Sequence, residues 1–302
     1  MEEKLQKPMT VCLLALLCCA LWGSAFPCVK IGYELLHIQD VGSQILFAGY
    51  RFFLAGIFTF VIGSVMERKL LTVKRTSVKY VAAQGVLQTA LQYFFFYVGL
   101  ANTTGAKGSV INASNAFISI IAAAVLIRTE KITWKKAVGC AIGFAGVIVI
   151  NLSPGAWGDG FHLLGEGMIF MSALCYGISS VTLKMISDRE SPVTITAYQL
   201  LIGGAILVIS GMIFGGSVTG FTWKSSLLLG YMALLSTVAF SIWSLLLKYN
   251  SVGKVTIYGF SIPVFGVALS ALFLGENILS WQTVIALIMV SVGIIIVNKS
   301  AE

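Results

Sequence analysis

An arginine in the middle of an apolar run is the costliest residue in this chain. Arg51 stands in the stretch FAGYRFFLAG, and an ionised guanidinium at the centre of a bilayer costs about 2.5–3.5 kcal/mol on insertion scales. It must therefore face protein or water. There it serves either as a counter-charge for a carboxylate or phosphate, or as a donor to helix-end carbonyls. Further along, Gln84, Gln88 and Gln92 recur every fourth residue, joined by Thr89 and Tyr93, and Gly108, Asn112, Asn115 and Ser119 repeat the helical spacing. Each pattern places its polar groups on one helix face. Amides donate and accept, so two such faces either line a hydrophilic path or join neighbouring helices through bonds worth about 0.6 kcal/mol each.

In the other half of the chain Tyr176, Ser179, Gln199, Ser241, Trp243, Tyr258 and Ser261 fall at comparable depths in their apolar runs, as Trp22 and Ser24 do near the start. Trp22, Tyr176 and Trp243 are the aromatic candidates for enclosing an organic solute, against the commoner role of packing. Trp134, Trp157, Trp223 and Trp281 stand near run ends and read as interfacial anchors. Lys107 and Lys254 each open an apolar run, where a lysine either meets an anion or snorkels to the interface.

Other chemistry is missing. The six cysteines (Cys12, Cys18, Cys19, Cys28, Cys140 and Cys175) all lie inside apolar runs without a CxxC pair, and the two histidines, His37 and His162, fall in connections. These thiols read as small hydrophobes, and neither a metal, a cofactor nor a clustered active site is expected. No Asp or Glu lies deep in an apolar run; Glu166 sits near the outer start of one, where water could reach it.

The elements that must position these residues follow from composition. The chain is 58% hydrophobic and 11% charged, with mean hydropathy +0.93, whereas a soluble domain carries about 25% charged residues. Only a bilayer accepts such a surface, and bare backbone in lipid demands helices or closed barrels. Strand alternation is absent, so the fold class expected is an all-α polytopic membrane protein. With about 20 residues per crossing, the runs predict ten transmembrane helices: 9–30, 42–63, 79–100, 105–127, 134–151, 163–186, 193–215, 224–247, 252–274 and 280–298. The basic start before the first run imitates a signal peptide, but the run is too long for one.

Charge placement orients these spans. With the N-terminus inside, 16 of the 20 lysines and arginines fall on the cytoplasmic side. Lys30, Lys107 and Lys224 fall outside and Arg51 lies within the second span. That asymmetry predicts both termini in the cytoplasm. It also makes the net charge of +8 an orientation signal rather than a nucleic-acid surface.

The halves are imperfect copies. Cys19 to Lys30 lies over Ala173 to Lys184, Tyr50-Arg51 over Tyr198-Gln199, Thr129 to Ile132 over Gly275 to Ile278, and Asn151 over Asn298, at offsets of 154, 148, 146 and 147. Two repeats, 1–152 and 153–302, each with five spans, must enter the membrane in opposite senses. That gives an inverted 5+5 repeat with a pseudo-two-fold axis in the membrane plane and a site near the midplane. Lys107 and Lys254 then stand at opposite sides.

Trp22-Gly23-Ser24-Ala25-Phe26 in the first span, Arg51 in the second, Glu130 after the fourth, Gly275-Glu276 after the ninth, and the glycines of the fifth and tenth (Gly139, Gly143, Gly146; Gly293) carry a resemblance over essentially the whole chain. The sequence resembles the drug/metabolite transporter superfamily, specifically its ten-span family of paired EamA domains. The first copy departs from the usual Gly-Glu ending with Arg128-Thr129-Glu130. The resemblance implies a secondary carrier working by alternating access on a small organic metabolite, without ATP hydrolysis. Bacterial members of this length often export amino acids or related compounds. Carriage of phosphorylated or other organic anions, or drug and amine efflux, is the alternative; a scaffold or a membrane enzyme is a remoter one. In relatives with phosphorylated or acidic substrates, basic residues on the two spans that Lys107 and Lys254 open hold the anion. An arginine at the place of Arg51 is common across members with different substrates, which favours its structural role. Small four-helix relatives exchange protons through a first-span glutamate; Ser24 and Phe26 stand in the first span here, so that route is not expected. The implied setting is the cell membrane, with lipid and a small-molecule substrate as partners and a monomer by default, a dimer remaining possible.

Overall fold

The computed structural model describes residues 2–102, 105–127, 132–150, 163–274 and 281–299. Among them every regular element is helical. After a short turn at Glu2–Gln6 come α1 (Pro8–Leu35), α2 (Val41–Met66), α3 (78–101), α4 (Gly105–Leu126), α5 (Trp134–Ile150), α6 (Leu163–Ser187), α7 (Pro192–Ile213), α8 (Trp223–Tyr249), α9 (252–274) and α10 (Trp281–Lys299). The expected spans fall on these helices with shifted ends; α1 runs on to Leu35 rather than stopping at 30. Local chemistry sets the starts. Pro8 and Pro192 open their helices, where a missing N–H costs nothing. Asp40 caps α2 by accepting the Ser43 N–H at 2.7 Å, and hydrogen bonds from the Ser43 side chain and backbone hold its carboxyl below the ordinary carboxylate value. Thr222 and Ser225 form a reciprocal capping box on α8.

Five helices, α1, α2, α6, α7 and α8, are each long and apolar enough to cross a bilayer. The others change helix type along their length, are shorter, or border residues outside those described. α3 passes through a π-helical stretch at Gly85–Leu91, α6 begins with one at Leu163–Gly167, and α9 through a 3-10 turn at Ile257–Phe260. The chain is an all-α polytopic membrane protein.

The packing is symmetric. α2 packs most extensively on α7, α5 on α10, α4 on α6 and α1 on α9. Adding five to each helix of the first half, and subtracting five in the second, returns the same set of pairs. Glycines at the crossings make the correspondence residue-specific. A β-carbon on Gly56 would stand 2.6 Å from the Leu201 nitrogen, and one on Gly204 would meet the Phe53 nitrogen. Gly56 pairs with Gly204, and Phe53 with Leu201, at the 148-residue offset that aligns Arg51 with Gln199. Likewise Gly23 abuts Phe265 where Gly177 abuts Ile118, and Gly146 abuts Met289 and Ala286 where Gly293 abuts Gly139 and Gly143.

Two clasps close the ends of the α2/α7 pair. At one end Lys74 N–H donates to Glu190 at 3.0 Å, Lys74 Nζ to the Arg189 carbonyl at 2.7 Å, and Ser191 Oγ to Glu67 at 3.0 Å. Leu71 is buried in this clasp, its carbonyl accepting from Tyr198 Oη at 3.0 Å. At the other end Ser43 Oγ donates to the Ser217 carbonyl at 3.0 Å and accepts its N–H at 2.9 Å, with Val218 buried in the place of Leu71.

Candidate functional site

The aromatic candidates meet. The Trp22 ring of α1 lies edge-on to Trp243 and Phe240 of α8, at 4.9 and 5.4 Å between centroids. Phe240 continues to Phe52 of α2 at 6.3 Å, and Phe52 packs on Tyr93 of α3 at 4.2 Å. Tyr176 of α6 is buried. The Cys19 thiol donates to the Tyr258 carbonyl in the 3-10 turn of α9 at 3.1 Å. Side chains from α1, α2, α3 and α8 thus converge with the 3-10 turn of α9, and these aromatic rings are buried or half-buried.

Arg51 is buried against this cluster. Its Nε donates to Ser236 Oγ at 3.0 Å and its guanidinium carbon lies 4.9 Å from the Phe52 ring centre. The Tyr97 hydroxyl interacts with Arg51 and with Tyr33. One edge of Arg51 is thus bonded to a serine hydroxyl of α8 and one face lies on an aromatic ring.

The glutamine face of α3 divides. Gln84 Nε2 donates to Gln88 Oε1 at 2.5 Å and to the Ser179 carbonyl at 3.0 Å, and Gln84 Oε1 accepts from Thr182. That end bolts α3 to α6. One turn on, Thr89 Oγ1 and Gln92 Oε1 are buried with no hydrogen-bond partner among the described residues. Trp22 Nε1, Trp243 Nε1 and both amide atoms of Gln199 share that condition. A buried polar atom left without a partner costs about 1–3 kcal/mol, and such atoms call for an explanation.

The other candidates lie around this centre. Ser24 Oγ is 2.8 Å from the Leu21 carbonyl and 2.8 Å from Tyr231 Oη. Asn112 is half-buried, while Asn115 is buried with Oδ1 beside Gly259 of the 3-10 turn. Tyr258 and Ser261 are buried in α9. Lys254 is half-buried in the first turn of α9. The Lys107 side chain lies outside what is described, as do Glu130, Asn151, Trp157, His162, Gly275 and Glu276. Glu166 departs from expectation: it is buried rather than open to water, in the π-helical turn that begins α6. Trp134, Trp223 and Trp281 are exposed, as anchors should be.

Helix type changes where the site residues stand. Gln88 and Thr89 lie in the π stretch of α3 and Tyr258 in the 3-10 turn of α9. Irregular turns free backbone groups, and within a membrane they are tolerated only inside protein or beside a cavity. Sequence reasoning missed Ser236, Tyr97, Phe52 and Phe240. Tyr93 with Tyr97, and Phe240 with Trp243, stand four and three residues apart, a helical spacing that would have grouped them.

Three comparisons bear on what the arrangement does. The model of the EamA-like transporter family matches residues 9–152 and again 163–299. A Bacillus subtilis protein named uncharacterized transporter YvbV is 26% identical, over 99% of this chain and 95% of its own. The Escherichia coli K12 protein named uncharacterized inner membrane transporter YedA is 27% identical, over 90% and 88%. A solved crystal structure matches with TM-score 0.81 at 15% identity, covering 97% of this chain and 98% of that one, a likeness of fold.

Proposed function

The chain belongs to the EamA-like transporter family and is a multi-pass membrane transporter of that kind; we propose that it is a ten-span alternating-access carrier that exports an amino acid or a related small metabolite. In this reading both termini are cytoplasmic, the halves 1–152 and 153–302 are inverted relative to one another, and the monomer carries a complete site.

The observation that carries the reading is a set of buried, unpartnered polar atoms: Trp22 Nε1 and Trp243 Nε1 within the multi-helix aromatic cluster, Gln92 Oε1 next in sequence to its Tyr93, and the amide of Gln199 on α7. Indole N–H groups and a glutamine amide donate to a carboxylate, and amide oxygens accept from an amine. Trp22, Tyr93, Tyr176 and Trp243 enclose the apolar part of the solute. Ser24, Asn112, Asn115, Tyr258 and Ser261 line the approaches, with Gln88 behind them in the bolt to α6, and Lys107 and Lys254 open the two runs nearest the mouths. Arg51 holds α2 to α8 and lends the centre a positive field. The solute shifts the balance of conformations only by binding one better than another, and these atoms gain partners only when it is enclosed.

Counterflow in proteoliposomes tests this. The vesicles hold a mixed amino-acid pool, and labelled amino acids are offered singly outside. Transient, saturable accumulation of a label is expected. Folded protein that accumulates none would overturn the amino-acid reading and direct the same assay to sugar phosphates, nucleotides and organic cations.

A further inference from the structure

The two clasps are alike in backbone geometry and opposite in charge character. The 214–222 connection contains no Lys, Arg, Asp or Glu, whereas 67–79 contains Arg68, Lys69, Lys74, Arg75 and Lys79 against the single acid Glu67. All five cations are exposed. Glu67 is spent on Lys69, 3.4 Å away, and on Ser191. Arg189 from the facing connection joins them: it and Lys79 lie over the same Tyr80 ring, at 5.4 and 5.0 Å from its centre. The apolar side chains bordering the cations are exposed too, with Met66 at 79%, Leu70 at 70% and Val78 at 50%.

Orientation in the membrane requires only a count of positive charges. This segment has more than a count. It is a fixed backbone path, bonded through Lys74 to Glu190 and Arg189, which holds cations beside exposed apolar groups at the ends of α2 and α3. We propose that the 67–79 segment together with Arg189 is a binding surface for the headgroup of an anionic phospholipid, and that the bound lipid holds this clasp closed. Basic residues next to a membrane span attract acidic lipid headgroups, each charge adding to the attraction, and the apolar neighbours enter the acyl boundary beneath. Lys74 belongs to the clasp through its backbone and to the basic surface through its charge, so lipid there stiffens the junction between the halves. The inference rests on the multi-pass membrane fold and is independent of which solute is carried.

The test is the melting temperature of the full-length protein in mixed micelles with phosphatidylglycerol or with phosphatidylcholine of the same acyl chains. Phosphatidylglycerol is expected to raise it by about 4 °C over phosphatidylcholine. The difference should vanish in the Arg68→Gln, Lys69→Gln, Arg75→Gln triple variant and persist in Lys224→Gln, whose charge lies near the other clasp. Equal melting in the two lipids, or an undiminished difference in the triple variant, overturns the proposal. If the triple variant does not fold, the wild-type protein decides by salt. A difference that shrinks from 0.05 M to about 0.5 M salt supports the headgroup site, as screening requires, and one that does not shrink overturns it. Inorganic phosphate alone is expected to leave the melting temperature unchanged; a rise matching that of the lipid would assign the surface to a free anion instead.

Discussion

Gln88 and Gln92 stand one helical turn apart and do different work. Gln88 receives Gln84 in the bolt between α3 and α6, whereas Gln92 and Gln199 hold buried atoms that nothing in the described protein meets. Gln88→Leu should therefore lower stability by about 1–2 kcal/mol, read as a fall in melting temperature. Gln92→Leu and Gln199→Leu should leave melting unchanged or raised, yet cut counterflow by about tenfold, the loss of one substrate hydrogen bond. Undiminished transport in both would remove these residues from the path. Arg51 makes a second prediction. In a double-mutant cycle, Arg51→Lys and Ser236→Ala should show a coupling of about 1–3 kcal/mol in unfolding, since the lysine lacks the Nε donor; zero coupling would deny the anchor. The sequence marks Arg51 as costly to bury and the glutamines as one face. It does not separate bolt from lining, because that depends on Ser179 and Thr182 arriving from a helix nearly a hundred residues away.

At the scale of the helix, close approach rather than propensity decides what is tolerated. Gly56 and Gly204 face backbone nitrogens of the partner helix, while nothing stands within 4 Å of a β-carbon on Gly230. Gly56→Val and Gly204→Val should each destabilise by about 1–3 kcal/mol, and by similar amounts, because the two sites are mates. Gly230→Ala should gain up to about 1 kcal/mol from helix propensity. Thermal melts of the three variants check both the cost and the equality. The ten apolar runs located the helices to within a few residues, since a bilayer enforces length and hydrophobicity locally. The π stretch at Gly85–Leu91 and the 3-10 turn at Ile257–Phe260 left no such mark. They stand where another helix lies alongside: Gly85 against the Gln199 backbone, and Gly259 beside Asn115.

For the molecule as a whole, the duplication visible as offsets of 146–154 residues becomes a set of helix crossings repeated in both halves. Alternating access as proposed requires one clasp to open while the other stays shut. A disulfide between Glu67→Cys and Ser191→Cys, or between Ser43→Cys and Ser217→Cys, should therefore each abolish counterflow, with recovery on reduction. Full turnover in both locked proteins would rule out rocking of one half against the other. Two halves identical in sequence would leave an inward-open and an outward-open conformer at equal energy, each occupied half the time in the absence of any gradient. The pair Arg51 and Gln199 breaks that degeneracy, since one member is bonded to Ser236 while its counterpart is unsatisfied. Exchanging the roles of the halves exchanges neither their side chains nor their debts in hydrogen bonds. In the proposed alternating-access cycle the empty carrier would then have a preferred resting side, which would set how fast it meets solute from each face.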